Sequence, residues 1–383
     1  MIQQTDNNLL LACVRARWST QAADEVRRIV LETDVNWDGF LEQAAKHCVA
    51  PLIYHTMRDE HGILPASVKQ KLREEYYLSA VRNTLLYQEL ANILATFNDA
   101  GLPVIVLKGA ALAQEMYGNI ALRPMSDIDL LVKGEEIASG QQLLLQRGYS
   151  PIELAHPTGR HSTFEGDAAG YRVHIEVHSH IVSSAYYRST IPEDWLWRDP
   201  VRLPVGDNPA LMLSPEGIVV HSCLHLLDHV AVPGSLLWLC DIKEVSQRHD
   251  IAWDAFVDNL VHFRIASPVR SVLFECSRLL RLPIPERPRE RLLAHQPGFW
   301  ERRAYQLCLS PTRSTVSRTL FDLLAIEGVP AKAHYLHSRL LPDRDYMMAR
   351  YSIGDPRLVP LYYPLMITRA IADGLKALAQ PRL

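Results

Sequence analysis

Cysteine is scarce in this chain, charge of either sign is not in excess, and no long apolar run exists; each shortage removes a class of protein. Six cysteines among 383 residues (Cys13, Cys48, Cys223, Cys240, Cys276 and Cys308) lie far apart with no CxxC pair. Neither a disulfide framework nor a zinc knuckle is expected, and they read as reduced, buried thiols of a cytoplasmic protein. Forty Lys and Arg against forty-three Asp and Glu leave a formal net charge of −3, which disfavours nonspecific nucleic-acid binding through overall charge. Nowhere do about 18 apolar residues run uninterrupted, so no membrane insertion is expected. The longest candidate, Leu358 to Thr368, contains Pro360 and Pro364 and reads as a docked C-terminal segment. No basic region precedes the short apolar run near the N-terminus, so a secretory signal is not expected either. What is present, 48% hydrophobic and 22% charged residues, suffices for one large core or two or three smaller ones and rules out disorder, coiled coil or collagen-like repeats as whole-chain descriptions.

Over residues 7–100 apolar residues recur at three- and four-residue spacing, as in Val26, Ile29, Val30 and in Leu86, Leu90, Ile93, Leu94, Phe97. That is the helical period, and Pro65 fits the first turn of a long helix ending before Gly101. Leu102 to Leu107 is then a short, β-branched, almost wholly apolar run, the pattern of a buried strand. A helix over 110–117, a loop over 118–126, a second strand over 128–132 and a helix over 135–147 follow. Ser162 to Phe164 and Tyr171 to Val177 are expected to pair across a turn at 166–170. Beyond Pro204 the helical period returns over 215–230, 235–248, 253–263 and 268–280, without internal repeats. The expected class is α+β, an α/β core at 101–204 between a helical N-terminal module at 1–100 and a helical C-terminal region at 205–383 that forms the acceptor-binding wall of a cleft.

The chemistry concentrates in Lys108-Gly109, Arg123, Ser126-Asp127-Ile128-Asp129 and the run Val173 to His180. Strand alternation projects Asp127 and Asp129 to one face and Ile128 and Leu130 to the other. Two carboxylates forced together are costly, a divalent cation is the usual compensation, and oxygen-only ligands favour Mg²⁺ or Mn²⁺. Lys108-Gly109 at a strand-to-helix junction offers a positive charge, close backbone approach and free helix N–H groups, which suit a polyphosphate. Arg123 reaches the same anion with a bidentate fork or, more plainly, pairs with Asp127; Ser126 supports the loop. Alternation also puts His174, Glu176, His178 and His180 on one face. Glu176 then completes a three-carboxylate cluster, in which the Asp pair holds the triphosphate metal and Glu176 shares a second that activates an attacking hydroxyl. His178 orients a carboxylate, contacts the nucleotide or acts as a base, three roles the residues alone leave open.

These residues resemble the nucleotidyltransferase superfamily that includes DNA polymerase β, the antibiotic nucleotidyltransferases and AbiEii-type toxins. The chain is most similar to bacterial nucleotidyltransferase family proteins, whose pattern is met by Leu107-Lys108-Gly109, Tyr117, Arg123, Asp127-Ile128-Asp129 and Glu176-Val177-His178, and more loosely by Trp195 to Trp197, the helix at His221 and Leu239 to Ile242. The resemblance implies a small polymerase β-like mixed sheet and metal-dependent transfer of a nucleoside monophosphate from an NTP, with release of pyrophosphate. Its acceptor is a small molecule, a peptide or protein, or an RNA end. Two departures stand out: Gly109 is followed by Ala110 where the superfamily carries Gly or Ser, and the spacing from Gly109 to Asp127 is longer than in polymerase β-like members.

Two rivals are carried forward. One is a non-catalytic or regulatory nucleotide-binding module, or a toxin–antitoxin-type partner, supported by Gly109-Ala110. The other is a metal-dependent hydrolase built on His221, His225 and His229, spaced by four along one helix face with Asp228 adjacent and Asp241 on the next helix. A plainer reading makes His225 and Asp241 pocket-lining. Between Arg278 and Arg318 nine Arg stand against three Glu, with Phe299, Trp300 and Tyr305 nearby. That mix suits a nucleic-acid groove or, more simply, a solvated helical face laced with salt bridges.

Overall fold

In the computed structural model the described residues are 8–60, 62–153, 161–168, 170–229, 235–309, 315–326, 328–342, 344–351 and 353–379. The N-terminal residues 1–7 of the secretory-signal argument and Arg313 of the Arg-rich stretch lie outside them. Helices Asn8–Arg15, Thr20–Glu32, Trp37–Lys46 and Ala50–Met57 lead into the long helix Ala66–Asp99, which Pro65 precedes as expected. At 34 residues it extends about 50 Å. Its buried residues Leu86, Leu90, Ile93, Leu94 and Phe97 form the stripe the spacing predicts, and Gly101, at φ +67°, turns the chain back toward the sheet.

Seven strands follow: β1 Ile105–Val106, β2 Ile128–Leu131, β3 Ser150–Glu153, β4 His161–Ala168, β5 Tyr171–His178, β6 Val201–Val205 and β7 Asn208–Met212. They form one mixed sheet in the order β3-β4-β5-β2-β1-β7-β6, with β1·β2 antiparallel and both β1·β7 and β2·β5 parallel. The α+β class with a mixed sheet among helices stands. The structure corrects the expectation in three places. The run 102–107 yields only two strand residues, because the next helix, Lys108–Glu115, starts two residues before the expected Ala110. β3 is a four-residue edge strand in a segment for which no strand is expected from the sequence, Pro151 being tolerated at the sheet edge. The sheet also continues past residue 204: β6 and β7 form a hairpin through Gly206 (φ +58°), and β7 joins β1 at Ile105↔Leu211. The paired prolines Pro204 and Pro209 hid these strands.

The C-terminal half supplies helices Pro215–Asp228, Ser235–Arg248 and Ala266–Leu280, packed on one another. Ser214 caps the first, accepting from Gly217 N at 3.2 Å. One hydrophobic core runs from Leu9 through the strands to Ala325, so the three sequence regions share it. Leu358 to Thr368 falls almost wholly within helix Val359–Ala379, which continues through Pro364. Among the described residues no helix is long and apolar enough to cross a membrane. All six cysteines are free thiols, five of them buried.

Candidate active site

The parallel pairing of β2 with β5 sets Asp129 beside Glu176 and Leu131 beside His178. One ligand atom from each of Asp129, Glu176 and His178 lies within 4.8 Å of the other two. His178 Nε2 is 2.9 Å from Asp129 Oδ1 and 3.2 Å from Glu176 Oε2. Lys108 Nζ donates to Asp129 Oδ1 at 2.7 Å and stands 3.9 Å from Glu176 Oε2. Its backbone is left-handed (φ +48°), a conformation costing a non-glycine residue on the order of 1 kcal/mol or more and found often at functional sites. Asp127 sits half-buried on the approach to β2, where Ser126 Oγ donates to its Oδ1 at 3.0 Å.

Charge is packed densely here. Burial alone would raise the Asp129 carboxyl, but Lys108 and His178 hold it well below the usual carboxylate range. Asp127 is pushed up to about 6, by burial first and then by Asp129, with Lys108 opposing. Burial would lower His178, yet its hydrogen bonds to Asp129 and Glu176 leave it raised. Lys108 is likewise raised against burial by Asp129, Glu176 and Asp127. Three carboxylates with one lysine between them have the donor chemistry of a hard divalent cation such as Mg²⁺ or Mn²⁺.

Arg123 is buried and finds its partner on the Ser235–Arg248 helix, not in Asp127: Nη2 donates to Asp241 Oδ2 at 2.9 Å, and Tyr117 OH donates to Asp241 Oδ1 at 2.8 Å. Gly109 is needed for close approach, but to protein. A Cβ there would lie 2.5 Å from Arg123 Nη1 and 2.8 Å from Met125 Cγ. Sequence reasoning missed Asn83. On the long helix and fully buried, its Nδ2 donates to Ile120 O and to Arg123 O (2.9 Å), while its Oδ1 accepts from Met125 N at 3.2 Å. The available signal was an amide three residues before Leu86 and seven before Leu90, on the buried stripe.

Lys108, Gly109, Arg123, Ser126, Asp127, Glu176 and His178 line one cavity of about 360 Å³ together with His180, Ser183, His221, His225, Asp228 and Trp238. His225 and His178 thus line the pocket as expected, whereas Asp241 does not: it is buried against Arg123 and Tyr117 and is not part of the lining. The three helix histidines do not converge as ligands. Their rings form a row in which His225 lies 4.3 Å from His229 and 4.7 Å from Trp238, and His229 Nδ1 bonds His225 O at 2.9 Å. Among the described residues, the set that gathers ligand atoms is Asp129, Glu176 and His178, which corrects the zinc-hydrolase geometry. The Arg-rich stretch is extensively paired: Arg278 with Glu275, Arg281 with Glu25, Arg287 with Asp254, and Arg291 with Asp254 and Asp258.

The family described as "Uncharacterised nucleotidyltransferase" matches residues 33–281, a span holding all seven strands and every residue of the cavity named above. Among curated proteins none matches. Solved structures of low similarity include an antigenic nucleotidyltransferase-like protein from Paracoccidioides brasiliensis, 14% identical, with 59% of this chain and 95% of that one covered at a TM-score of 0.37. The antibiotic-resistance factor ANT(2'')-Ia in solution is 15% identical, covering 51% and 98% at 0.32. A tRNA-processing enzyme in an apo form is 13% identical, covering 77% and 92% at 0.22. Likeness at that level bears on no residue or substrate of this chain.

Proposed function

The chain belongs to the family of uncharacterised nucleotidyltransferases, and from that premise we propose that it moves a nucleoside monophosphate from an NTP to an acceptor hydroxyl at the carboxylate end of the cavity. The observation that supports this most is the β2–β5 register, which sets Glu176 beside Asp129, two residues from Asp127, at a cavity edged by the Lys108–Glu115 helix. Asp127, Asp129 and Glu176 would hold Mg²⁺ or Mn²⁺, which supplies neutralisation of the triphosphate and a lowered pKa for the acceptor hydroxyl. Lys108 meets the triphosphate with its ammonium, beside the helix N-terminal N–H groups. Gly109 keeps that helix start close against Arg123. Arg123, fixed by Asp241, acts from a set position on the anion, and Ser126 holds Asp127 in place.

In the reaction the acceptor oxygen attacks the α-phosphorus, its proton passes to Glu176, and the bond to the bridging oxygen breaks so that pyrophosphate leaves. Rate enhancement comes mainly from positioning and charge neutralisation. His178, bonded to both Asp129 and Glu176, orients these two carboxylates. The helices before residue 101 and those from Pro215 onward frame the sheet, which the β6–β7 hairpin carries past residue 204, and the second set supplies the acceptor wall. Six free cysteines suit a cytoplasmic enzyme.

Pyrophosphate release from each NTP with Mg²⁺ or Mn²⁺ tests the proposal. Asp127→Asn is expected to lose at least a hundredfold, whereas exposed Glu135→Gln retains full rate. NTP binding without turnover under all acceptors would support the non-catalytic module instead.

A further inference from the structure

Away from the cavity, the long helix Ala66–Asp99 carries a second apolar stripe on the side that faces water. We infer that this stripe is a homodimer interface: two copies of the chain pack these helices antiparallel about a two-fold axis at Leu78, with Glu74 of each copy paired to Arg82 of the other.

The first argument is the stripe itself. The helix buries Leu72, Ser79, Asn83, Leu86 and Leu90 against the protein. At about 100° per residue, that face points roughly 140° away from the row made by Glu74, Leu78, Val81, Arg82 and Leu85. On this outer side Tyr77, Leu78 and Val81 are 50%, 58% and 63% exposed, and with Leu85, Glu74 and Arg82 they line an open groove of about 790 Å³. Arg73 stands 5.4 Å over the Tyr77 ring and holds it at the margin of the stripe. One apolar stripe joins a helix to its core. A second, spaced by three and four on the opposite side, is the pattern of a helix covered on both faces.

Charge identifies what covers it. Glu74 and Arg82 lie one turn to either side of Leu78, about 12 Å apart along the axis, and both are exposed. Gln70 donates to Glu74 Oε1 at 3.0 Å, and among the described residues neither Glu74 nor Arg82 has an ion-pair partner. A two-fold axis at Leu78 exchanges the two ends of this row. Each carboxylate then meets a guanidinium, and Leu78 meets Leu78 with Val81 alongside. An isologous contact requires a patch complementary to itself, and the row has that property only in the antiparallel sense, since parallel packing sets Glu74 on Glu74 and Arg82 on Arg82. Exposed ion pairs add little affinity but reject like-charged registers. Burial of Tyr77, Leu78 and Val81 therefore supplies the attraction, and the charges supply the orientation.

The test is sedimentation velocity and light scattering on the full chain from about 1 to about 200 μM, where the mass is expected to rise from 43.4 kDa toward twice that value. Glu74→Arg and Arg82→Glu each set like charges against one another and are expected to raise the dimer Kd at least tenfold. The double variant restores opposite charges with the ends exchanged and is expected to return to within threefold of wild type. Leu78→Asp is expected to leave a monomer, while Leu361→Ser, at an equally exposed leucine of the C-terminal helix, leaves the dimer intact. These positions are exposed, and near-ultraviolet circular dichroism checks that each variant folds. Leu78→Cys, on the axis, is expected to form an intermolecular disulfide under mild oxidation, whereas Leu31→Cys, 80% exposed on the helix Thr20–Glu32, is not. A wild-type mass of one chain across the whole range overturns the inference and leaves the stripe to a different partner. A dimer that survives Leu78→Asp, or a double variant no tighter than the single ones, overturns it as well.

Discussion

Replacing Asn83 by leucine keeps a side chain of similar size on the buried stripe of the long helix and removes three hydrogen bonds from the loop that carries Arg123 and Asp127. The Ile120 carbonyl is partly buried and recovers a water, but the Arg123 carbonyl and the Met125 N–H are buried and left unpaired. Each orphaned group costs about 1–3 kcal/mol, and the leucine returns part of that through apolar burial. The net loss is therefore roughly 2–4 kcal/mol, a large share of a typical stability of about 5–15 kcal/mol. Thermal unfolding with and without Mg·ATP measures it, with Ser79→Ala as control. Ser79 lies one turn earlier on the same face, and its buried hydroxyl has no hydrogen-bond partner among the described residues, so its removal is expected to be neutral or slightly stabilising. Because the loop is released from one side only, Asn83→Leu is also expected to show a smaller Mg·ATP-induced rise in Tm than wild type. A variant within about 0.5 kcal/mol of wild type, on a scale where most surface changes fall, would refute the claim that this amide holds the loop.

Gly109→Ala drives a Cβ into Arg123 and Met125; since Asp241 pins Arg123, relief is expensive, and a loss of about 1–3 kcal/mol with weakened NTP binding is expected by calorimetry and titration. Asp241→Ala strands a buried guanidinium and is expected to cost about 3–5 kcal/mol, most of it recovered when Arg123→Met is added, because an apolar pair tolerates burial where a lone charge does not. Asp127→Asn is expected to abolish activity yet stabilise the metal-free protein. The Asp127 carboxyl is raised to about 6 in the fold, so its ionisation destabilises the metal-free state progressively as pH rises from about 4 to about 6. Denaturant unfolding in EDTA at pH 4 and pH 7 measures that slope, which the Asn variant should flatten. Mg²⁺ or Mn²⁺ is expected to raise the Tm of the wild type at pH 7 and not that of the Asn variant; an equal rise in both would argue against Asp127 as a ligand.

The core of the site was legible because strand chemistry is local. Alternation in Asp127-Ile128-Asp129 and in His174 to His178 assigns faces without knowledge of the fold, and the parallel register then joins them. Long-range partners were not legible in the same way. Arg123 finds Asp241 118 residues on, and nothing in either segment marks the other as its counter-ion. Short strands were hidden by prolines that a sheet tolerates at its edge, as at Pro204 in β6. The histidine row was read correctly as one helix face, but whether such a row converges on a metal or lines a wall depends on what stands opposite. Here Trp238 and a cavity stand there.

Those long-range partners also account for the length of the chain. The segment 120–127 is a single 3₁₀ turn (Ile120–Leu122) followed by a loop that carries one of the acidic pair, so by itself it would sample many conformations at an entropic cost of about 1–2 kcal/mol per residue when ordered. It is held from one side by Asn83 of the long N-terminal helix and from the other by Asp241, through Arg123, of a C-terminal helix. Neither support belongs to the sheet. Cutting the chain to residues 101–204 would remove both anchors together with β7, which pairs with β1, and leave the apolar surfaces of a shared core exposed. The helical regions are thus parts of the site's framework as well as its walls. A truncated core is expected to show the exposed-surface signature of incomplete packing, such as dye binding and loss of near-ultraviolet circular dichroism, and to lose its response to Mg·NTP.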